Sequence, residues 1–568
     1  MILRSSAWFD RDDEVALDAR VALAMAGQSW RSGQPIIALI NSSGGFNPCN
    51  LPLDDLVAPL RAGVESAGGV AVEVGVMSLG EDVMKPAAML YRNLVAMDVE
   101  ETLRSQPVDG VIILAACDKS VPAGVMGAWS TNLPTLLVVA GPRPTSMFRG
   151  RRIGTGTDLW RTWDARRAGD MDDASWQEFE HSLTTGRGTC NTMGTASTMA
   201  ICAETLGLAW PGVTLAPAGD SRHVDAAREV GARIVALVKE GSRPSERPRA
   251  AWDNTLKVLS AIGGSTNAVI HLTAMARRLG VELRLEEFDI ASRHVPVLCD
   301  VEPTGRGLVE DLDAVGGVPA LWRALGDRLD GEVRLADGRR LAEHAAEAPE
   351  ASGVLRSLDN PVDPGGAFRV VRGNLAPDGA LIKRCAASID LLRHRGPAVV
   401  LRSAEEADAF ARGDGDLDPE SVIVLSGAGP LGGPGMPEWA MVSLPPALVR
   451  RGVHDMVRVS DARMSGTSFG TVFLHVAPEA AVGGPLAHVR DGDMISVDAD
   501  GGVITLEVDE AELAARASTW RPAAAPSRGY LALYAAHVLQ APEGCDFDVL
   551  RGSPGVAPTL DEPVVGRS

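Results

Sequence analysis

Four short apolar runs, Pro35–Asn41, Val70–Met77, Asp109–Ala116 and Pro134–Ala140, alternate with three helix-patterned stretches, Leu53–Ser66, Ala87–Ser105 and Pro122–Ser130. Strands separated by helices in this rhythm cannot pair as hairpins; they close as parallel βαβ units with helices on the faces of the sheet. The first half of the chain is therefore expected to be a layered α/β domain. Such sheets gather ligands beyond the carboxyl ends of their strands, so chemistry should sit just after each strand. Polar and sulfur-bearing residues fall there.

From about Cys190 to Leu325 the pattern is mainly helical, with a helix start at GGSTN (Gly263–Asn267) leading into AVIHLTAMARRLG. The charged, poorly periodic stretch Glu332–Pro361 is expected to be a surface connection. From about Gly373 the texture changes to short β-rich runs broken by Gly and Pro: PAVVLRS, SVIVLSG, MVRVSDARMSG, TVFLHVAPE, MISVDADGG and VITLEV. The DADGG turn between the last two is a hairpin signal. The expected division is an α/β domain over residues 1–374 and a barrel-like β domain over 375–568. At 568 residues the chain is too long for one ordinary core.

Composition removes several classes of partner. A net charge of −20 repels phosphate backbones and anionic lipid heads, and 4% aromatics leave little for stacking on single strands. Neither nucleic acid nor membrane is expected, and the longest apolar runs are of strand length. The N-terminal MILRSSAWFDRDDE has no apolar leader, and seven cysteines in so long a chain do not make a secreted disulfide scaffold. A reducing cytoplasm, where thiols are free to bind metal, is the expected setting.

Three cysteines occupy loop or strand-end positions: Cys49 in INSSGGFNPCN, Cys117 in VDGVIILAACDK and Cys190 in TTGRGTCNTMGTAST. Taken singly, such a cysteine is usually an inert buried thiol. Three without a CxxC pair do not suit a structural zinc site, but they suit an iron–sulfur cluster with one iron left open as a Lewis acid. Carboxylates stand beside them. Glu81 follows the second strand, Asp118 follows Cys117, and Glu438 ends the run GAGPLGGPGMPE. Singly these read as solvated loop acids; together they are hard-cation ligands of the kind Mg²⁺ accepts. Lys119, next to Asp118, is either an ion-pair partner or a lysine open to carbamylation.

GAGPLG (Gly427–Gly432) matches G-x-G-x-x-G, but Pro430, Pro434 and Pro437 block the helix that a phosphate cradle needs. In SDARMSGTSFGT, Ser465 and Thr467 lie on a Gly-flanked turn after a strand. They are either turn hydroxyls or, beside a divalent cation, a potential base. No triad spacing or nucleophile elbow supports acyl transfer.

The stretches NPCN, SLGE, PAAMLYRNLVAMDVEE, ACDKSVPA, GTCNTMGTASTMA, GGSTNAV, GGPGMPE and SDARMSGTSFGT, followed by HVAPEAAVGGP, resemble the dihydroxy-acid and phosphogluconate dehydratase (IlvD/Edd) family over nearly the whole chain. The SDARMSGT form is similar to the sugar-acid branch, aldonate dehydratases of the L-arabinonate type; amino-acid-pathway members carry a TDGR-type version. The resemblance implies cluster ligands at Cys49, Cys117 and Cys190, and Mg²⁺ ligands at Glu81, Asp118, Glu438 and a carbamylated Lys119. It also implies a catalytic base at Ser465 with Thr467 close by. The family fold is an α/β domain with a C-terminal β-barrel, in homodimers or homotetramers. Two departures fall at the expected site mouth: INSSGGFNPCN lacks the usual tryptophan-containing run, and Pro52–Asp54 replaces a His-containing segment.

The implied activity is that of a hydro-lyase (EC 4.2.1 type), eliminating water from a sugar acid or related 2,3-dihydroxy acid to give the 2-keto-3-deoxy acid. The cluster is expected to be [2Fe–2S], with [4Fe–4S] the alternative. The runner-up is a dihydroxy-acid dehydratase of branched-chain amino-acid synthesis. A nucleotide-dependent oxidoreductase lacks its phosphate loop, and a non-catalytic iron–sulfur sensor has no use for the carboxylates and Ser465 together.

Overall fold

The computed structural model describes residues 3–184, 186–413, 417–560 and 565. The outermost residues of the two expected domain spans, 1–2, 561–564 and 566–568, lie outside these. The N-terminal layer is a four-stranded sheet of β1 (Ile36–Asn41), β2 (Val70–Gly75), β3 (Gly110–Leu114) and β4 (Thr135–Val138), in the order β2-β1-β3-β4. All three pairings are parallel. Strands β1, β3 and β4 are buried along their whole length, as a sheet covered on both faces requires, and edge strand β2 alternates at its end.

Period-two geometry sorts the apolar side chains between two cores. Ile37, Leu39, Ile112 and Leu114 pack with Leu56, Leu60, Ile234 and Val235, from helices Asp54–Ser66 and Ser221–Glu240. Ala38, Ile40, Val111 and Ile113 pack on the other face with Val95, Val99, Val125 and Trp129, from helices Arg92–Ser105 and Ser120–Ser130. Helices Asp54–Ser66 and Ser221–Glu240 touch backbone to backbone. A Cβ on Gly63 would lie 2.1 Å from the Arg228 carbonyl oxygen, so only glycine fits there.

Strand order reverses direction between β1 and β3. This is the topological switch point, where loops leaving adjacent strands diverge and open a crevice. The loop after β1 carries Cys49 and the loop after β3 carries Cys117, Asp118 and Lys119.

A small hairpin follows, β5 (Ser146–Phe148) with β6 (Arg151–Ile153), and then the helical region, including Thr195–Thr205, Arg249–Ala261 and Asn267–Arg278. The last of these starts at GGSTN, as its sequence indicates. Residues 332–361 are more than a surface connection. They contain the helix Leu341–Glu347, and Leu335, Leu341 and Leu355 are buried in a core with Leu312, Leu321 and Trp322. Turns space these apolar residues irregularly, which hides their burial from any periodicity.

The C-terminal part is a closed eight-stranded barrel of β7 (Phe368–Gly373), β8 (Ala376–Lys383), β9 (Arg393–Leu401), β10 (Val422–Leu425), β11 (Arg458–Ser460), β12 (Val472–Ala477), β13 (Met494–Asp498) and β14 (Val503–Leu506). Its order is β10-β11-β12-β8-β7-β14-β13-β9. Strands β9 to β12 run parallel, and β13 and β14 form the hairpin expected at DADGG. Every second residue, including Val371, Ile382, Val400, Val424, Val459, Phe473, Ile495 and Ile504, fills the interior. No helix of the described residues is long and apolar enough to cross a membrane.

Candidate active site

The sequence NPCN ties the switch-point loops together. Asn47 donates from Nδ2 to the Leu79 carbonyl at 2.8 Å, in the loop that carries Glu81, and accepts the Cys49 N–H at 3.2 Å. The Pro48 carbonyl accepts the Gly188 N–H at 3.0 Å, which holds the Cys190 loop. Asn50, fully buried, accepts the Cys117 N–H at 2.8 Å and donates to Ser120 Oγ and the Ser42 carbonyl, both at 2.9 Å. These residues thus tie together the loops that carry Cys49, Glu81, Cys117 and Cys190. Asn47 and Asn50 escape a sequence reading focused on metal ligands; their signal is the asparagine on either side of Pro-Cys.

Glu81, Asp118 and Glu438 converge from three separate loops, with one oxygen of each within 4.8 Å of the others. Lys119, with no exposed side-chain surface, stands among them. Its Nζ lies 2.7 Å from Glu81 Oε1, 3.0 Å from Glu438 Oε1, and in contact with Asp118 Oδ2. Arg463, equally buried, reaches Glu438 at 2.9 Å and Glu81 at 3.4 Å, while its Nε donates to the Met436 carbonyl at 2.6 Å. Asn267 Nδ2 donates to Glu438 at 2.7 Å and to Thr195 Oγ1 at 3.1 Å. Arg463 lies in SDARMSGT and Asn267 in GGSTN, and neither stands out by its chemistry. An Arg at the end of a strand and an Asn at the head of a helix both have ordinary structural readings.

Burial works to raise the Glu81 carboxyl, but the charges of Lys119 and Arg463 outweigh it and hold the group at about 2. For Asp118 burial prevails and, with Glu81 and Glu438 nearby, raises the carboxyl despite Lys119. Burial alone would lower the Lys119 ammonium; Asp118, Glu438 and Glu81 together raise it. The all-oxygen donor set fits a hard divalent ion, but Lys119 and Arg463 already engage the same carboxylates and would compete with it.

Cys49 and Cys117 are buried and Cys190 is half-buried. Contact with Cys49 and then burial push the Cys117 thiol well up, and burial and then Cys49 push Cys190 to about 12. Cys117 contacts Cys49, and Cys190 feels the charge of Cys49, but the three sulfurs do not form a group closed to within 4.8 Å among the described residues. Buried thiols that resist ionisation become thiolates when a metal neutralises them. Cys202, Cys299, Cys385 and Cys545 stand apart from this group in sequence, and no role is assigned to them.

The barrel contributes the hydroxyls. Ser465 Oγ and Thr467 Oγ1 are 3.0 Å apart, and the Thr467 N–H donates to Ser465 Oγ at 3.3 Å. The turn presses onto the start of helix Thr195–Thr205. A Cβ on Gly466 would lie 2.6 Å from Thr195 N, and Thr157 Oγ1 donates to the Thr467 carbonyl at 3.0 Å. Through Thr195 and Asn267 the hydroxyl turn is linked to Glu438. GAGPLG is a tight loop whose Gly427 and Ala428 N–H groups donate to Asp461, and no helix begins in it. A nucleotide cradle is thereby excluded.

Comparison with known proteins places this geometry. Residues 34–344 match the family described as dihydroxy-acid/6-phosphogluconate dehydratase N-terminal, and residues 353–545 its C-terminal counterpart. The 6-deoxy-6-sulfo-D-gluconate dehydratase of Pseudomonas putida is 43% identical, covering 98% of this chain and 97% of its own. The L-arabonate dehydratase of Azospirillum brasilense is 44% identical over 97% of each chain. The dihydroxy-acid dehydratase of Roseiflexus castenholzii is 38% identical over 90% of this chain and 92% of its own. With both halves matched in order and the sugar-acid enzymes nearer in identity than the amino-acid-pathway one, this chain belongs to the dihydroxy-acid/6-phosphogluconate dehydratase family, in its sugar-acid branch.

Proposed function

We propose that this protein eliminates water from a sugar acid to give the 2-keto-3-deoxy acid, with a divalent cation and an iron–sulfur cluster as resident groups. The observation that carries the reading is the meeting of a three-carboxylate cage and a paired-hydroxyl turn, contributed by loops of both the α/β layers and the barrel. Glu81, Asp118 and Glu438 would hold Mg²⁺, joined by Lys119 as its carbamate, and Cys49, Cys117 and Cys190 would hold a [2Fe–2S] cluster. When bound, the cation supplies Lewis acidity to the acid end of the substrate and the cluster supplies it to the departing hydroxyl.

Ser465 is the group assigned to the C2 proton. Its Oγ can receive hydrogen bonds from both Thr467 Oγ1 and Thr467 N–H, an arrangement that favours an alkoxide. Asn267 and Arg463 fix the Glu438 carboxylate so that the cage keeps its shape. The chain is read as two units, 1–374 and 375–568, with the barrel's first strand, Phe368–Gly373, just ahead of that division, assembled as a homodimer or homotetramer in the cytoplasm. It acts on a small hydroxy acid and not on nucleic acid.

The test is anaerobic purification followed by assay of 2-keto acid from L-arabinonate, D-gluconate, 6-deoxy-6-sulfo-D-gluconate and 2,3-dihydroxyisovalerate, with iron and sulfide measured per chain. Keto acid from a sugar acid is expected. Turnover confined to dihydroxyisovalerate would transfer the protein to branched-chain synthesis, and turnover of none would end the dehydratase reading.

A further inference from the structure

Arg143 is the odd cation of the site. It follows β4, and its backbone N–H donates to the Thr189 carbonyl at 2.9 Å, one residue before Cys190. Gly188 fits so closely against it that a Cβ there would lie 2.7 Å from Arg143 N. The Gly188 N–H in turn donates to Pro48, next to Cys49. Arg143 is therefore built into the loops that carry two of the three thiols.

The neighbouring arginines are all paired. Arg149 meets Glu178 at 2.6 Å, Arg152 meets Asp311 at 2.6 Å, Arg161 meets Glu302 at 2.8 Å, and Arg151 contacts Asp158. The Arg143 guanidinium has no carboxylate and no hydrogen-bond acceptor among the described residues. Its Nε is buried without a partner, whereas its terminal nitrogens are not sealed in. Only Nε of this half-buried group loses water without a partner in return, while the open terminal nitrogens are free to meet an anion from outside. Its planar fork suits the paired oxygens of a sulfonate, phosphate or carboxylate.

We propose that Arg143 binds the far end of the substrate, and that this enzyme prefers sugar acids carrying a second acidic group at the end away from C1. The inference rests on the dehydratase reading above. A sugar acid held by its acid end at the cage, with its departing hydroxyl at the thiols, has its tail beyond the thiols, and the loop that carries Arg143 is bonded to the loop that carries Cys190. Lys119 and Arg463, by contrast, are already engaged with the cage.

The test compares D-gluconate, 6-phospho-D-gluconate and D-glucarate on the wild type, Arg143→Gln and Arg143→Lys, with iron and sulfide measured for each protein. The wild type is expected to have the higher kcat/KM on the acid-tailed substrates; a preference for D-gluconate over both overturns the proposal. Arg143→Gln is expected to lower kcat/KM for the acid-tailed substrates by roughly ten- to a hundredfold, mainly through KM. Turnover of D-gluconate and iron content should stay at wild-type levels. Arg143→Lys should recover part of the loss, since a point charge replaces charge but not the fork. A parallel loss on D-gluconate with reduced iron would mean that Arg143 serves the thiols instead, and no change on any substrate would mean that it touches none. A wild type that dehydrates none of the three overturns the dehydratase reading, and the tail contact with it.

Discussion

Lys119 poses the sharpest problem at the scale of single residues. Its ammonium shares the same three carboxylates that a divalent ion would use, and both cannot occupy the cage cheaply. Repulsion between unit charges about 4 Å apart is roughly 4 kcal/mol at the effective dielectric of such sites, and a divalent ion doubles it. Addition of CO₂ to the free amine, with loss of a proton, turns the rival cation into an anionic ligand. Mg²⁺ should therefore bind more tightly in bicarbonate buffer than in CO₂-free buffer, and Lys119→Gln should abolish the difference. Equal Mg²⁺ titrations in the two buffers would rule the carbamate out. Ser465→Ala tests the other residue role. It should keep wild-type iron content and Mg²⁺ affinity while kcat falls by about 10²- to 10⁴-fold, the usual worth of a positioned base. A loss below about tenfold would move the proton transfer elsewhere.

Among the elements, the loop from Gly427 to Glu438 has the most demanding anchorage. Glu479, with no exposed surface, accepts the Leu431 N–H at 2.9 Å, the Gly432 N–H at 2.9 Å and Gln540 Nε2 at 2.8 Å. These bonds favour the anion, yet burial outweighs them and raises the carboxyl to about 7. In the unfolded chain the same group ionises near 4.5. Between these values the native state holds the extra proton, so its contribution is complete below about 4.5 and is lost as pH rises through about 7. The melting temperature of the wild type minus that of Glu479→Gln should therefore fall across that window; a flat or rising difference would show that the native carboxylate is ionised throughout. The elements also show what a sequence can and cannot convey. The strands β1 to β4 are legible because Ile37 and Leu39 face one core while Ala38 and Ile40 face the other, all within one local run. The barrel strands are legible singly, but not their order. Closure sets β9 beside β13 and β14 beside β7, pairings between segments about a hundred residues apart or more, which no local period encodes. The ligand-type residues of the site stand out by their chemistry. Asn50, Asn267 and Arg463 do not, because their work is to hold other loops, and a partner in space leaves no mark on spacing.

Across the whole molecule, the site depends on the chain end folding back onto its beginning. After the barrel, helix Gly529–His537 and the segment that follows it return to the α/β layers. The Gly544 and Cys545 carbonyls each accept from Arg92 Nη2 at 2.8 Å, and Cys545 O also accepts from Asn93 at 2.9 Å. Asp546 pairs with Arg278 at 2.6 Å, both fully buried, and Glu100 completes the group at 3.1 Å. Burial would lower the Arg278 guanidinium, but Asp546 more than compensates and raises it. Arg92 begins the helix that follows residues 81–91, where the Ala88 N–H donates to Glu81 Oε2 at 3.1 Å. The tail is therefore coupled to the cage through one short segment. Asp546→Ala leaves a buried guanidinium with half its counter-charge, a loss of about 3–5 kcal/mol. The denaturation midpoint should drop accordingly, and Mg²⁺ affinity should weaken with it as the Glu81 segment loosens. Replacing both partners, as in Arg278→Met with Asp546→Leu, removes the stranded charge and should recover much of the stability. If the single variant unfolds at the wild-type midpoint, the buried pair is not what closes the chain end onto the site. If stability falls while Mg²⁺ affinity holds, the tail stabilises the fold without shaping the cage.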